Sequence, residues 1–161
     1  MKTLLGSAED THRFGQCLGA AAERGLVLTA HGELGAGKTT LAQGVARGLG
    51  VPVEHYVNSP TFAIAQVHPG RLPFYHLDLY RLADIDEAWG IGLEEMVGTD
   101  GVCFIEWASR CPELLPDERL ILRLTGHEMG RALELSATGP EAERILRRVC
   151  ILARQDGFVF A

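Results

Sequence analysis

From its N-terminus the chain places apolar residues at helical spacing, with Phe14, Cys17, Leu18, Ala21 and Ala22 on one side of a segment otherwise polar. Ser7, with Asp10 three residues on, supplies a capping start and Gly25 a stop, so an amphipathic helix is predicted between them. The period then changes. Leu26 to Ala30 is a short apolar run with β-branched members, the composition of a strand buried on both faces of a parallel sheet. Beyond a glycine-rich stretch, Leu41, Val45 and Leu49 restore the helical period, and Gly50 and Pro52 close it.

Further strands are predicted at Thr61 to Val67, Pro73 to Leu79 and Val102 to Trp107, runs rich in aromatic and β-branched residues. Arg119 to Leu124 and Ala132 to Ala137 alternate apolar with polar positions across a Gly-His-Glu-Met-Gly stretch, which reads as an antiparallel hairpin. Pro140, with Glu141 and Glu143, starts a last helix carrying Ile145, Val149 and Leu152 on one side. Strands alternating with helices predict an α/β fold, a sandwich with a mainly parallel sheet and an antiparallel C-terminal edge.

With 161 residues, 47% of them hydrophobic, the chain suits one packed domain over residues 1–161, and no repeat or low-complexity linker divides it. A formal charge of −6 argues against a chain that grips DNA or RNA by itself, so a link to RNA is expected only through a partner. No apolar run approaches the roughly 20 residues that span a bilayer, and the N-terminus lacks a secretory pattern. Cys17, Cys103, Cys111 and Cys150 show neither C-x-x-C nor zinc spacing, which fits buried thiols in a reducing cytoplasm.

The strongest chemical signal is Gly32-Glu33-Leu34-Gly35-Ala36-Gly37-Lys38-Thr39, a full G-x-x-x-x-G-K-[ST] phosphate loop between a predicted strand and a predicted helix. Glycines let consecutive backbone N–H groups approach phosphate oxygens, and the helix adds the positive end of its dipole. Lys38 is expected to reach the β- and γ-phosphates and Thr39 to ligate Mg²⁺, with Thr40 completing the nucleotide-binding set. The chain has only two lysines, Lys2 and Lys38, and neither opens the K-x-D element of guanine-specific loops, so ATP is expected over GTP.

Such a loop needs a carboxylate at the end of a neighbouring strand, and Asp78 and Glu106 both close apolar runs. The plainer reading of each is a turn cap or a partner for Arg81 or Arg110. Asn58-Ser59-Pro60-Thr61-Phe62 stands where nucleotide-sensing switches occur, although by itself it is a turn. Trp107 could stack on a base or simply pack, and His76 reads as an ordinary core or surface histidine.

Taken together, GELGAGKTTL, NSPTF, HLDLYRL, GLEEM and IEW, in this order, closely resemble the TsaE family, also called YjeE. The motifs span roughly Ser7 to Leu124. The resemblance implies a P-loop fold, Mg-ATP binding and hydrolysis, and a complex with the TsaD–TsaB pair that threonylcarbamoylates the tRNA adenosine beside the anticodon. It implies phosphate and metal roles for Lys38 and Thr39, a switch role for Thr61, acids around metal and water at Asp78 and Glu106, and Trp107 as the aromatic beside them. Phe62 stands where tyrosine is common, and Asn58 where lysine is. A small-molecule kinase, or an assembly module that binds ATP without useful turnover, are the alternatives.

Overall fold

The computed structural model describes residues 1–161. Strands β1 (Lys2–Leu5), β2 (Val27–His31), β3 (Ala65–His68), β4 (Phe74–Asp78), β5 (Val102–Glu106), β6 (Arg119–His127) and β7 (Gly130–Thr138) form one sheet in the order β1-β7-β6-β2-β5-β4-β3. Its centre, β6, β2, β5 and β4, is parallel. Both margins are antiparallel: β7 pairs with β6 and β1, and β3 with β4. The expected C-terminal hairpin is therefore present, and a second antiparallel edge lies at the opposite side. Strand β1, not predicted, adds to the hairpin, and the chain end returns to it through a bridge between Thr3 and Phe160.

Helices α1 (Ala8–Ala21), α2 (Lys38–Gly48) and α4 (Pro140–Gln155) cover one face. Over the other face, α3 (Ile85–Gly90) and short 3-10 turns close a smaller core with Leu77, Ile105 and Leu93. The Ser7 cap is made as expected: its Oγ accepts from the Asp10 N–H at 3.0 Å, while Asp10 Oδ2 accepts from the Gly6 N–H at 3.1 Å.

Where α1 crosses α2, the backbones nearly touch. A Cβ on Gly44 would stand 2.2 Å from the His12 carbonyl oxygen, and one on Gly15 would stand 2.5 Å from that of Leu41. Only glycine fits there, and the crossing fixes the helix that begins at the phosphate loop.

The strand expected at Thr61 to Val67 is shorter and starts at Ala65. Thr61 to Ile64 instead close a turn, in which the Ile64 N–H donates to the Pro60 carbonyl at 2.6 Å and Ile64 takes a φ of 65°. The apolar run could not reveal this, because the turn is held from outside by Asp78.

Candidate functional site

Strand β2 runs into the glycine-rich loop, and the loop into α2, so Lys38 begins a helix whose other end is bolted to α1. Gly37 caps α2 with a φ of 105°, which disfavours any L side chain. No side chain caps this turn. Gly32 is equally constrained, since a Cβ would stand 2.6 Å from the Leu124 carbonyl oxygen of β6.

The loop opens on a cavity of about 350 Å³. Gly35, Lys38, Thr39 and Thr40 line it from the loop, Asp78 and Glu106 from the strand ends, and Thr61 and Trp107 from the connecting segments. Leu34 and Gly37 also face it, whereas Gly32, Glu33 and Ala36 lie along a neighbouring cavity beside Leu124. The sequence-predicted set thus converges on one cavity, except for these three, which lie behind the loop. Ser59, from the candidate switch segment, and Tyr80 join the lining although neither was assigned a role of its own.

Asp78 and Glu106 pair in register on adjacent parallel strands. Both are buried, at 2% and 3% exposure, deep enough that each carboxylate needs partners. Glu106 receives the Thr39 hydroxyl at 3.1 Å on Oε1 and 3.3 Å on Oε2. Its Oε1 also lies 2.8 Å from His76 Nε2. Asp78 Oδ2 accepts the hydroxyls of Ser59 and of Thr61, the latter at 2.9 Å, and Oδ1 accepts the Tyr80 N–H at 3.0 Å. Neither acid pairs with Arg81 or Arg110, whereas the turn cap that the plainer reading also allowed is made by Asp78 on the Tyr80 N–H.

The Lys38 ammonium donates to the carbonyls of Gly32 at 2.7 Å and Glu33 at 2.8 Å, and lies 4.4 Å from the centre of the Trp107 ring. Burial pulls its pKa below the usual lysine range, opposed by the charges of Glu106 and Asp78. Trp107 takes a φ of 57° and packs against Tyr80, ring centres 4.9 Å apart. A non-glycine residue in that conformation at the end of a buried strand is held by its surroundings.

His76 is the residue that sequence reasoning passed over. The available signal was its period-two spacing from Asp78, which puts both on one face of β4. Its link to Glu106 depends on strand pairing and was not visible.

The donors facing the cavity near Thr39 are all oxygens, the chemistry that suits magnesium. No three His, Cys, Asp or Glu residues gather as an all-protein metal cage. The four cysteines are buried and free. No helix is long and apolar enough to cross a membrane.

A central parallel sheet, a glycine loop between its first parallel strand and a helix, and an acid at the end of the neighbouring strand define a P-loop nucleotide-binding fold. The family model described as "Threonylcarbamoyl adenosine biosynthesis protein TsaE" matches residues 5–133. Proteins named tRNA threonylcarbamoyladenosine biosynthesis protein TsaE are similar over most of the chain. That of Treponema pallidum is 42% identical over 77% of this chain and 90% of its own length, and that of Bacillus subtilis 40% identical over 92% and 90%. The crystal structure of Bacillus subtilis YdiB superposes with a TM-score of 0.78 at 34% identity, covering 98% of this chain and 95% of that one. The chain belongs to the TsaE family of threonylcarbamoyl adenosine biosynthesis. The likeness extends past Leu124 into the hairpin and terminal helix, where no motif was legible.

Proposed function

We propose that this chain binds and hydrolyses Mg-ATP in support of the TsaD–TsaB pair, which threonylcarbamoylates the tRNA adenosine beside the anticodon. The observation that carries this reading is the meeting of the Thr39 hydroxyl and the Glu106 carboxylate at 3.1 Å at the mouth of the glycine loop. A helix-start hydroxyl and a strand-end acid in contact are the two protein ligands a P-loop supplies to magnesium. When bound, magnesium neutralises charge on the β- and γ-phosphate oxygens.

Lys38 exchanges the carbonyls of Gly32 and Glu33 for phosphate oxygens, and the first turn of α2 donates its free N–H groups. An adjoining cavity of about 310 Å³, reached past Gly37 and Thr40 and bordered by Ser7, Thr11 and Arg131, suits the nucleoside end. Asp78 faces the same space as Glu106. Tied to Thr61, it can orient a water and sense whether the segment before β3 is in place.

No arginine lines the phosphate cavity, which weighs against a small-molecule kinase with an arginine lid. The test is phosphate release from ATP by the full chain, alone and with the TsaD–TsaB pair, with and without magnesium. Magnesium-dependent release that rises with the pair is expected. ATP-dependent association with the pair but no release would instead support the assembly module, and phosphoryl transfer to a metabolite would support the kinase.

A further inference from the structure

We propose that His76 is a positioning residue for Glu106: its Nε2–H holds Oε1 of the carboxylate and so presents Oε2 to the cavity beside Thr39. The inference rests on the Mg-ATP reading, in which Glu106 belongs to the magnesium shell.

His76 has no exposed surface. The Phe74 ring stacks on it with centres 6.0 Å apart, and Phe104 meets it edge-on at 5.8 Å, so the ring plane is fixed by packing. Nε2 lies 2.8 Å from Glu106 Oε1, while Nδ1 is buried with no hydrogen-bond partner. These two facts set the tautomer. A proton on Nδ1 alone would bury a donor with nothing to receive it and turn the Nε2 lone pair toward a carboxylate. With the proton on Nε2, only an acceptor goes unmatched, and the carboxylate gains a donor inside an apolar wall.

Glutamate has three rotatable bonds, and a buried one stays in a single rotamer only if its oxygens are held. Oε1 has two donors, His76 and Thr39, whereas Oε2 has only the longer contact to Thr39. Since Thr39 is itself assigned to the metal, His76 is the one partner of Glu106 with no other task. Removing it leaves the single Thr39 hydroxyl as the only side-chain donor to the buried carboxylate, which is then free to change rotamer. Groups that orient a metal-binding side chain in this way set metal affinity as well as geometry.

The test uses the ¹⁵N-labelled full chain and its His76→Leu and His76→Gln variants. Long-range nitrogen–proton spectra of the parent are expected to show a proton on His76 Nε2, with a resonance that shifts in Glu106→Gln. A proton on Nδ1 alone overturns the proposal. ADP binding, titrated with magnesium and in EDTA, is the second readout. His76→Leu is expected to raise the half-saturating magnesium concentration on the order of 10-fold while leaving affinity in EDTA within about twofold. His76→Gln, whose amide N–H can reach the same oxygen, is expected to recover most of that loss. A structural role alone would lower both affinities together and gain nothing from glutamine. An unchanged magnesium requirement in His76→Leu overturns the proposal. Should that variant fail to fold, the parent spectrum and the glutamine variant still decide. A parent chain that binds ADP with no magnesium dependence overturns the Mg-ATP reading itself, and the spectrum then reports separately whether His76 holds Glu106.

Discussion

Asp78 and Glu106 end neighbouring strands, face one cavity and are buried to the same degree, yet different kinds of structure hold them. Glu106 is gripped by regular elements: Thr39 opens α2, and His76 sits inside β4 between two aromatic rings. Asp78 is gripped by an irregular segment, through Ser59 and Thr61. That segment is moored to α2 from its other end, where Gln43 donates to the Val57 carbonyl at 2.8 Å and Arg47 to that of Val51 at 2.7 Å. A carboxylate on rigid elements keeps one geometry and suits a metal shell. A carboxylate tied to a loop can exchange partners, because loop hydroxyls are released at little cost in packing. The contrast divides the site into a fixed half, which the proposed function assigns to phosphate and metal, and an adjustable half.

The fixed half is broken most directly at Lys38. Lys38→Ala removes a buried charge that the proposed reading directs at the phosphates, and is expected to weaken ATP binding on the order of 10²-fold or more, measured by calorimetry. Near-parental affinity would end the phosphate-loop assignment.

Glu106→Gln separates metal holding from water orientation. The amide oxygen can still accept from His76, so the fold is expected to persist while turnover falls on the order of 10²-fold. If magnesium-dependent ADP affinity falls with it, Glu106 acts mainly on the metal; if affinity holds, it acts in the transition state. Unchanged phosphate release in the presence of the TsaD–TsaB pair would remove it from the mechanism and leave Asp78 as the candidate acid.

The rigidity of the fixed half is itself testable away from the chemistry. Gly44→Ala puts a methyl group 2.2 Å from the His12 carbonyl oxygen and is expected to cost about 2 kcal/mol in a denaturant titration, the scale of overpacking a tight core. Loss of nucleotide affinity should accompany it, since α2 must shift away from α1. An unchanged midpoint would mean that the two helices separate freely.

The smallest effect belongs to the adjustable half. Asp78→Asn is expected to weaken ADP binding on the order of 10-fold in magnesium and less in EDTA, because in the proposed reading the carboxylate acts on charge near the metal and water. Hydrogen exchange should quicken between Val57 and Ile64 while the amides of α2 stay protected. Equal quickening in both segments would erase the division between the halves.

How much of this was legible varies by element, for physical reasons. The phosphate loop could be read because its chemistry is local: eight consecutive residues carry the glycines, the lysine and the hydroxyl that phosphate binding demands. Helix α1 could be read because its cap and period lie within its own span. The start of β3 was misjudged because the turn at Thr61 to Ile64 depends on Asp78, remote in sequence. Strand β1 was missed because four residues carry too little period, and its pairing with β7 closes only after the chain has returned.

By itself, then, the sequence determined the class of fold, the phosphate loop and the two strand-end acids, all set by short-range pattern and composition. The family followed from the order of its motifs. Only the tertiary structure decided how the acids differ. The register of β4 against β5 sets Asp78 beside Glu106, and packing against Phe74 and Phe104 turns His76 toward Oε1. The same chain folding brings Ser59 and Thr61 onto Asp78. Apart from Phe74 on His76, these contacts join residues 17 or more positions apart, and no local period encodes which of them will meet.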